Sequence, residues 1–139
     1  MALYGKQHVE RYRATDGKEG HHWNDTQTLL LTTKGRSSGE PRVAPLIYDL
    51  HRGDYVVVAS KGGAPEHPAW FLNIASDPEV EVQVWGDKFN AHARTATPEE
   101  REKIWSKMVA EWPDYENYQK KTDREIPLVI LEREGAERR

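Results

Sequence analysis

Ser60-Lys61-Gly62-Gly63 sits where the apolar run Tyr55-Val56-Val57-Val58-Ala59 stops and a stretch through Trp70, Phe71 and Leu72 begins, with Pro68 placed to start a helix. The chemistry on offer there is anion binding. Two glycines permit backbone conformations and close approaches that a Cβ forbids, amide N–H groups left unpaired at a helix start favour negative charge, and Lys61 stands beside them. An ordinary strand-to-helix loop carrying a solvated lysine accounts for the same residues. Arg36 and Arg42 are the other cations of interest: guanidinium groups suit bidentate contacts to phosphate or carboxylate, where lysine contributes a mobile point charge.

Other chemistries lack their residues. The chain has no cysteine, which removes thiol nucleophiles, thiolate metal sites and disulfides together. No Gly-x-Gly-x-x-Gly, Walker loop, zinc pattern or Gly-x-Ser-x-Gly elbow occurs, and the six histidines form no nucleophile–base arrangement. His21 and His22 are adjacent, without a partner at helical metal spacing, so no metal site is expected. A cationic corner, many aromatic residues and no acid–base machinery suggest a bound cofactor that carries the chemistry.

These residues need elements to hold them. The stretch 26–33 has strand composition, Gly35 and Gly39 bracket a turn, and 42–48 returns as a second strand in which Pro45 implies an edge or a bulge. After His51-Arg52-Gly53-Asp54 the run 55–59, apolar on both parities, reads as a strand buried on both faces. In such an antiparallel meander Arg36, Arg42 and Lys61 fall at one edge of the sheet, with Lys34 near them. A second hairpin is expected from 80–85 and 89–94, turning at Gly86-Asp87. Thr97-Pro98-Glu99-Glu100 is a capping box that should start a helix running to Trp112, with Ile104, Trp105, Met108 and Val109 on one face. A short helix carrying Tyr115 and Tyr118 follows, then a sixth, central strand over 126–132. Residues 1–25 carry little apolar content and read as a helical turn or mobile arm, and 134–139 as a disordered tail.

At 139 residues the chain is one domain long, and its net charge of −3 argues against broad nucleic-acid binding. No apolar run approaches the ~20 residues of a membrane span, and the start lacks the apolar core of a secretion signal, so a cytoplasmic protein is expected.

Three separated motifs carry a family resemblance: residues 29–46, then Ser60-Lys61-Gly62-Gly63 with Pro68-Ala69-Trp70-Phe71-Leu72-Asn73, then Trp112-Pro113-Asp114-Tyr115-Glu116-Asn117-Tyr118-Gln119 through Thr122-Asp123-Arg124-Glu125-Ile126-Pro127. In this order, across roughly 25–133, the chain resembles the deazaflavin-dependent nitroreductases of actinobacteria. The resemblance implies an α+β, mainly antiparallel fold, a six-stranded split β-barrel of the FMN-binding type with helices packed on it, spanning 26–133. It implies reduced coenzyme F420, a 5-deazaflavin with a phospholactyl-oligoglutamate tail, as donor of a hydride to an electron-poor small molecule such as a quinone, an enone or unsaturated lactone, or a nitro compound. Carried onto this chain, Arg36, Ser38 and Arg42 match the tail-binding loop, and Ser37 stands there where many relatives have a basic residue. Lys61, Gly62 and Gly63 match phosphate and ring-edge contacts, Trp70 and Asn73 the helix beside the deazaflavin, and Val43 and Pro45 the strand flanking it. Ser60, Tyr115 and Tyr118 match the substrate pocket, joined by Tyr48. Ile47 and Trp112 stand where a nitroimidazole-activating relative has tyrosines. Ser60 and Tyr118 are the expected catalytic donors to an acceptor oxygen. The implied partners are the hydride acceptor alone, without nucleic acid or an integral membrane segment; peripheral membrane contact and a monomer or homodimer fit the resemblance equally. Two alternatives stand beside it: a non-catalytic carrier of F420 or another anionic flavin-like ligand, and an FMN-dependent oxidoreductase of the same barrel fold.

Overall fold

Val56, Val57 and Val58 alternate between two apolar environments, and that alternation sets the layers of the molecule. The computed structural model describes residues 5–23 and 26–134. In chain order the elements are α1 (Gly5–Thr15), β1 (His22–Trp23), β2 (Thr26–Lys34), β3 (Pro41–His51), β4 (Asp54–Val58), α2 (Ala69–Ser76), β5 (Glu79–Val84), β6 (Asp87–Thr95), α3 (Pro98–Glu111), α4 (Asp114–Lys121) and β7 (Leu128–Arg133). Val57, Val129 and Leu131 point inward with Leu29, Leu31, Val82 and Ala91. Val56, Val58, Leu128 and Ile130 point outward, onto Ile104 and Met108 of α3 and Tyr115 of α4. Strands β4 and β7 are thus covered on both faces, as their composition predicts.

The strands run antiparallel in the order β2-β3-β4-β7-β6-β5, and β5 pairs back onto β2 through Leu31 and Val82, closing the barrel. The two-residue β1 adds on β2 outside it. Pro45 pairs with Leu30, while the β4 ladder begins only at Tyr48, so the proline lies where β3 has a single neighbour and its missing N–H breaks no second ladder. Thr97 and Glu100 form the expected capping box: Glu100 N–H donates to Thr97 Oγ1 at 3.2 Å and Thr97 N–H to the Glu100 carboxylate at 2.8 Å. Pro68 caps α2 from just outside, its carbonyl accepting from Phe71 N–H at 3.0 Å.

Of the two forms expected for the N-terminal stretch, a helical turn or an arm, the structure shows the helical one, about three turns long. Rather than standing off as an arm, residues 5–23 form a helix and a strand packed on the barrel. The fully buried Tyr12 supplies what the thin apolar content could not: its Oη donates to Thr28 O at 3.0 Å and accepts from Trp85 N–H at 2.9 Å. Burial pushes this phenol up to about 12. His21 stacks on Trp85 with ring centroids 3.9 Å apart and meets Tyr48 Oη at 2.8 Å. The second hairpin turns at Trp85-Gly86, one residue earlier than expected, with Trp85 at φ 55. Residues 1–4 and 24–25 lie outside the described residues, as does the expected tail apart from Glu134, whose N–H donates to Asn90 O at 2.9 Å. Among the described residues no helix is long and apolar enough to cross a membrane.

Candidate active site

Five separated pieces of chain enclose a cavity of about 420 Å³ on the outer side of β3. Pro45, Leu46 and Ile47 form one wall, Ser60, Lys61 and Gly62 a second, and Trp112, Tyr115 and Tyr118 a third. The N-terminal stretch completes it with Gly5, His8 and Trp23, beside Thr28 of β2. Trp23 meets Trp112 with ring centroids 5.6 Å apart, joining the N-terminal stretch to the third wall. Tyr118 Oη accepts from Trp112 Nε1–H at 3.3 Å, which leaves its own proton to donate into the cavity. Ser60 Oγ makes no hydrogen bond among the described residues. Tyr115 is buried, and desolvation raises its phenol, keeping that wall neutral.

The Lys61-Gly62-Gly63 turn is a tight reversal in which all three residues have positive φ, at 46, 63 and 83°. Gly62 has open space where a Cβ would stand, whereas a Cβ on Gly63 would come within 2.6 Å of Tyr118 O. Gly63 is therefore required by the packing of α4 against the turn, and it lines neither cavity described here. Arg124 holds the turn from below: its guanidinium donates to Ala64 O at 2.9 Å, Ser60 O at 2.8 Å and Ala59 O at 3.3 Å. Lys61 forms an ion pair with Glu66 at 2.9 Å, which holds the Glu66 carboxyl below its usual range.

A groove of about 380 Å³ continues along the same strand, lined by Val43 and Ala44, by Arg36, Ser37, Ser38 and Arg42, and by Ala69, Trp70 and Asn73 of α2. Asn73 is buried and organises it. Its Oδ1 accepts from Arg36 N–H at 3.2 Å and from Arg36 Nη1 at 2.9 Å, while its Nδ2 donates to Thr33 Oγ1 at 3.0 Å. Arg42 makes only long contacts, to Ser38 Oγ and Pro41 O at 3.4 Å and to Glu40 at 3.5 Å.

The anticipated single cationic corner is thus divided. Arg36 and Arg42 share the groove and Lys61 lines the cavity, the two meeting along consecutive residues of β3. Lys34 belongs to neither; it lines a separate depression with Glu79 and Glu81. Tyr48 is also not on the cavity wall. It is buried in the barrel core, against His21 and Tyr55. His8, Trp23, Thr28 and Arg124 were not foreseen as site residues. Trp23, a large aromatic in a polar stretch, and Arg124, inside the third motif, carried a signal in the sequence; His8 and Thr28 did not. Among the described residues no cluster of metal-ligating side chains is present.

Comparison with known proteins gives a consistent picture. The family model described as F420H(2)-dependent quinone reductase matches residues 4–133. An F420H(2)-dependent quinone reductase of Mycobacterium tuberculosis is 35% identical over 130 residues, covering 91% of this chain and 87% of that protein. A solved structure described as an F420-H2 dependent reductase (FDR-A) is 43% identical over 76% of this chain and 93% of that one, with a TM-score of 0.69. Another, described as a domain-swapped dimer, is 41% identical over 89% of this chain and 93% of that one, with a TM-score of 0.73.

Proposed function

Because the chain belongs to the F420H(2)-dependent quinone reductase family, we propose that it transfers a hydride from reduced coenzyme F420 to a quinone, with the cofactor's anionic tail in the Arg36–Arg42 groove and the quinone in the aromatic cavity. The observation that carries this reading is the junction along β3, where a groove bearing two arginines and two serine hydroxyls meets a cavity walled by Trp23, Trp112, Tyr115 and Tyr118. The residues fit the group. Guanidinium and hydroxyl donors suit a phosphate and carboxylates, and the open space over Gly62 admits a close approach to the turn. When bound, reduced F420 contributes two electrons and one proton as hydride, and a further proton completes the hydroquinone. The chain's own residues position and stabilise. Val43, Pro45, Trp70 and Asn73 shape the path between groove and cavity, and the aromatic walls orient a flat ring and exclude water. Hydride uptake leaves negative charge on an acceptor oxygen, and the free protons of Tyr118 and Ser60 are pre-placed donors for it. Ile47 and Trp112 set the width of the cavity. Enones and nitro compounds share the need for such donors and belong to the same proposed acceptor class.

The test is anaerobic: reduced F420 is mixed with the purified protein and a naphthoquinone, and the return of oxidised F420 absorbance is followed, with reduced FMN in a parallel assay. Turnover with F420 alone is expected. Tight F420 binding without turnover across a panel of quinones, enones and nitroaromatics would make the protein a carrier, and turnover with FMN alone would reassign the cofactor.

A further inference from the structure

We propose that His8 places a hydrogen-bond acceptor in the 420 Å³ cavity, and that the cavity consequently selects aromatic rings bearing a hydroxyl, the hydroquinone product and fused phenols such as naphthols, over the same rings without one. The proposal rests on the reading of this cavity as the acceptor site. His8 is 3% exposed and lines the cavity from α1. Its Nε2 lies 2.7 Å from Gly20 O. A carbonyl oxygen only accepts, so Nε2 carries the proton, and in the neutral ring Nδ1 has a lone pair. The anchor is firm: Gly20 O also accepts from Thr28 Oγ1 at 2.5 Å, and at φ +115 Gly20 has no Cβ, which would come within 2.9 Å of His8 Cδ2.

Nδ1 of His8 has no hydrogen bond among the described residues, yet it is not sealed in the protein interior as Nδ1 of His21 is. That leaves it to the cavity. Of the other polar side chains of the wall, Lys61 only donates, Thr28 commits its proton to Gly20 O, and the Ser60 and Tyr118 hydroxyls have protons to give as well as lone pairs. A quinone carbonyl is served by those donors and gains nothing from a lone pair on Nδ1, whereas a hydroquinone or naphthol O–H has an acceptor waiting. The cavity is therefore complementary to both redox forms of the acceptor, with His8 specific to the reduced one.

Two substitutions separate the ring nitrogens. His8→Gln can still reach Gly20 O with its amide but has nothing at the Nδ1 position, and His8→Asn keeps a polar amide near Nδ1. Binding of 1-naphthol and 1-methoxynaphthalene, without cofactor, is read by quenching of tryptophan fluorescence. The wild-type protein should prefer 1-naphthol about three- to tenfold, the range of one net hydrogen bond, with the preference lost in His8→Gln and kept in His8→Asn. F420 affinity should be unchanged in both variants, since His8 does not line the groove. Equal affinity for the two probes in the wild type, or an undiminished preference in His8→Gln, overturns the assignment. Because no turnover is involved, a protein that oxidises no reduced F420 defeats the functional proposal while this ratio remains readable.

Discussion

The groove and the cavity meet on one strand, but they are built in opposite ways. The groove comes from two short stretches, 35–44 and 69–73, and Arg36, Ser37, Ser38 and Arg42 are exposed in it. The cavity draws on α1, β1, β2, β3, the Lys61 turn and the α3–α4 region, and its His8 and Tyr115 are almost fully buried. A charged groove can bind its ligand by local electrostatics whatever the exact packing behind it. A cavity assembled from remote pieces depends on the whole fold for its shape. Cofactor binding and acceptor selection should therefore respond to different mutations.

The largest expected effect tests that separation directly. Tyr118→Phe should lower kcat/KM for a quinone about ten- to a thousandfold, the span of one oxyanion donor, and leave the Kd for F420 within error. Comparable loss in both quantities would mean that cavity and groove are not separable. If Tyr118→Phe and Ser60→Ala each keep wild-type turnover, the acceptor is positioned by shape alone.

Gly63→Ala should come next. The new Cβ meets the Tyr118 backbone at 2.6 Å and the residue sits at φ +83, so stability should fall by about 2–4 kcal/mol, measured by urea unfolding. Gly62→Ala, at φ +63 with open space, carries the backbone cost without the clash and should lose less. Equal losses would refute the packing role assigned to Gly63.

The same contrast explains what could be read from the sequence. Alternation and turn residues reveal strands, so the six barrel strands, the buried double face of 55–59 and the capping box at Thr97 were legible, as was the grouping of Arg36 with Arg42 across one turn. His8 was not. Its place in the cavity depends on Tyr12 docking α1 and on Gly20 presenting a carbonyl, and neither has a local pattern. Arg124 lay within a recognised motif, but its role arises from carbonyls 60 to 65 residues earlier in the chain. Tyr48 follows Ile47 directly but is turned into the barrel core against His21 and Tyr55, a long-range contact that a motif match does not reveal.

Arg36→Ala should weaken F420 binding about ten- to a hundredfold, since charge-assisted hydrogen bonds contribute roughly 1.5–3 kcal/mol each. Quinone-analogue binding should not change. An unaltered F420 Kd would remove the groove from cofactor binding. Acid should do the reverse and act on the cavity side. His21, by which the N-terminal stretch packs on Trp85 and Tyr48, is lowered to about 4 from 6.5, first by burial and then by His22. The unfolded chain binds this proton near pH 6.5 and the folded one only near 4, so unfolding takes up a proton between them. Stability should be level above pH 6.5 and fall on the order of 1–3 kcal/mol toward pH 4. A His21→Gln variant with an equally steep loss of stability across that window would place the cause elsewhere.

The smallest expected effect sharpens the comparison most, because it adds charge rather than removing it. Ser37 is exposed on the groove between Arg36 and Ser38, and its side chain makes no hydrogen bond among the described residues, so lysine fits there without displacing anything. An exposed charge facing an anionic tail is worth about 0.2–1 kcal/mol, or roughly one and a half- to fivefold in Kd. Salt provides the control. At an ionic strength where the Debye length shrinks to about 3 Å, near 1 M, the gain of Ser37→Lys should vanish, whereas the His8-dependent preference for naphthol, made inside a buried cavity, should persist. The gain should also grow with the number of glutamates on the tail, since each adds a carboxylate within reach of the groove. A gain that survives high salt would show that the lysine acts by packing, and one independent of tail length would place the tail somewhere other than beside Ser37.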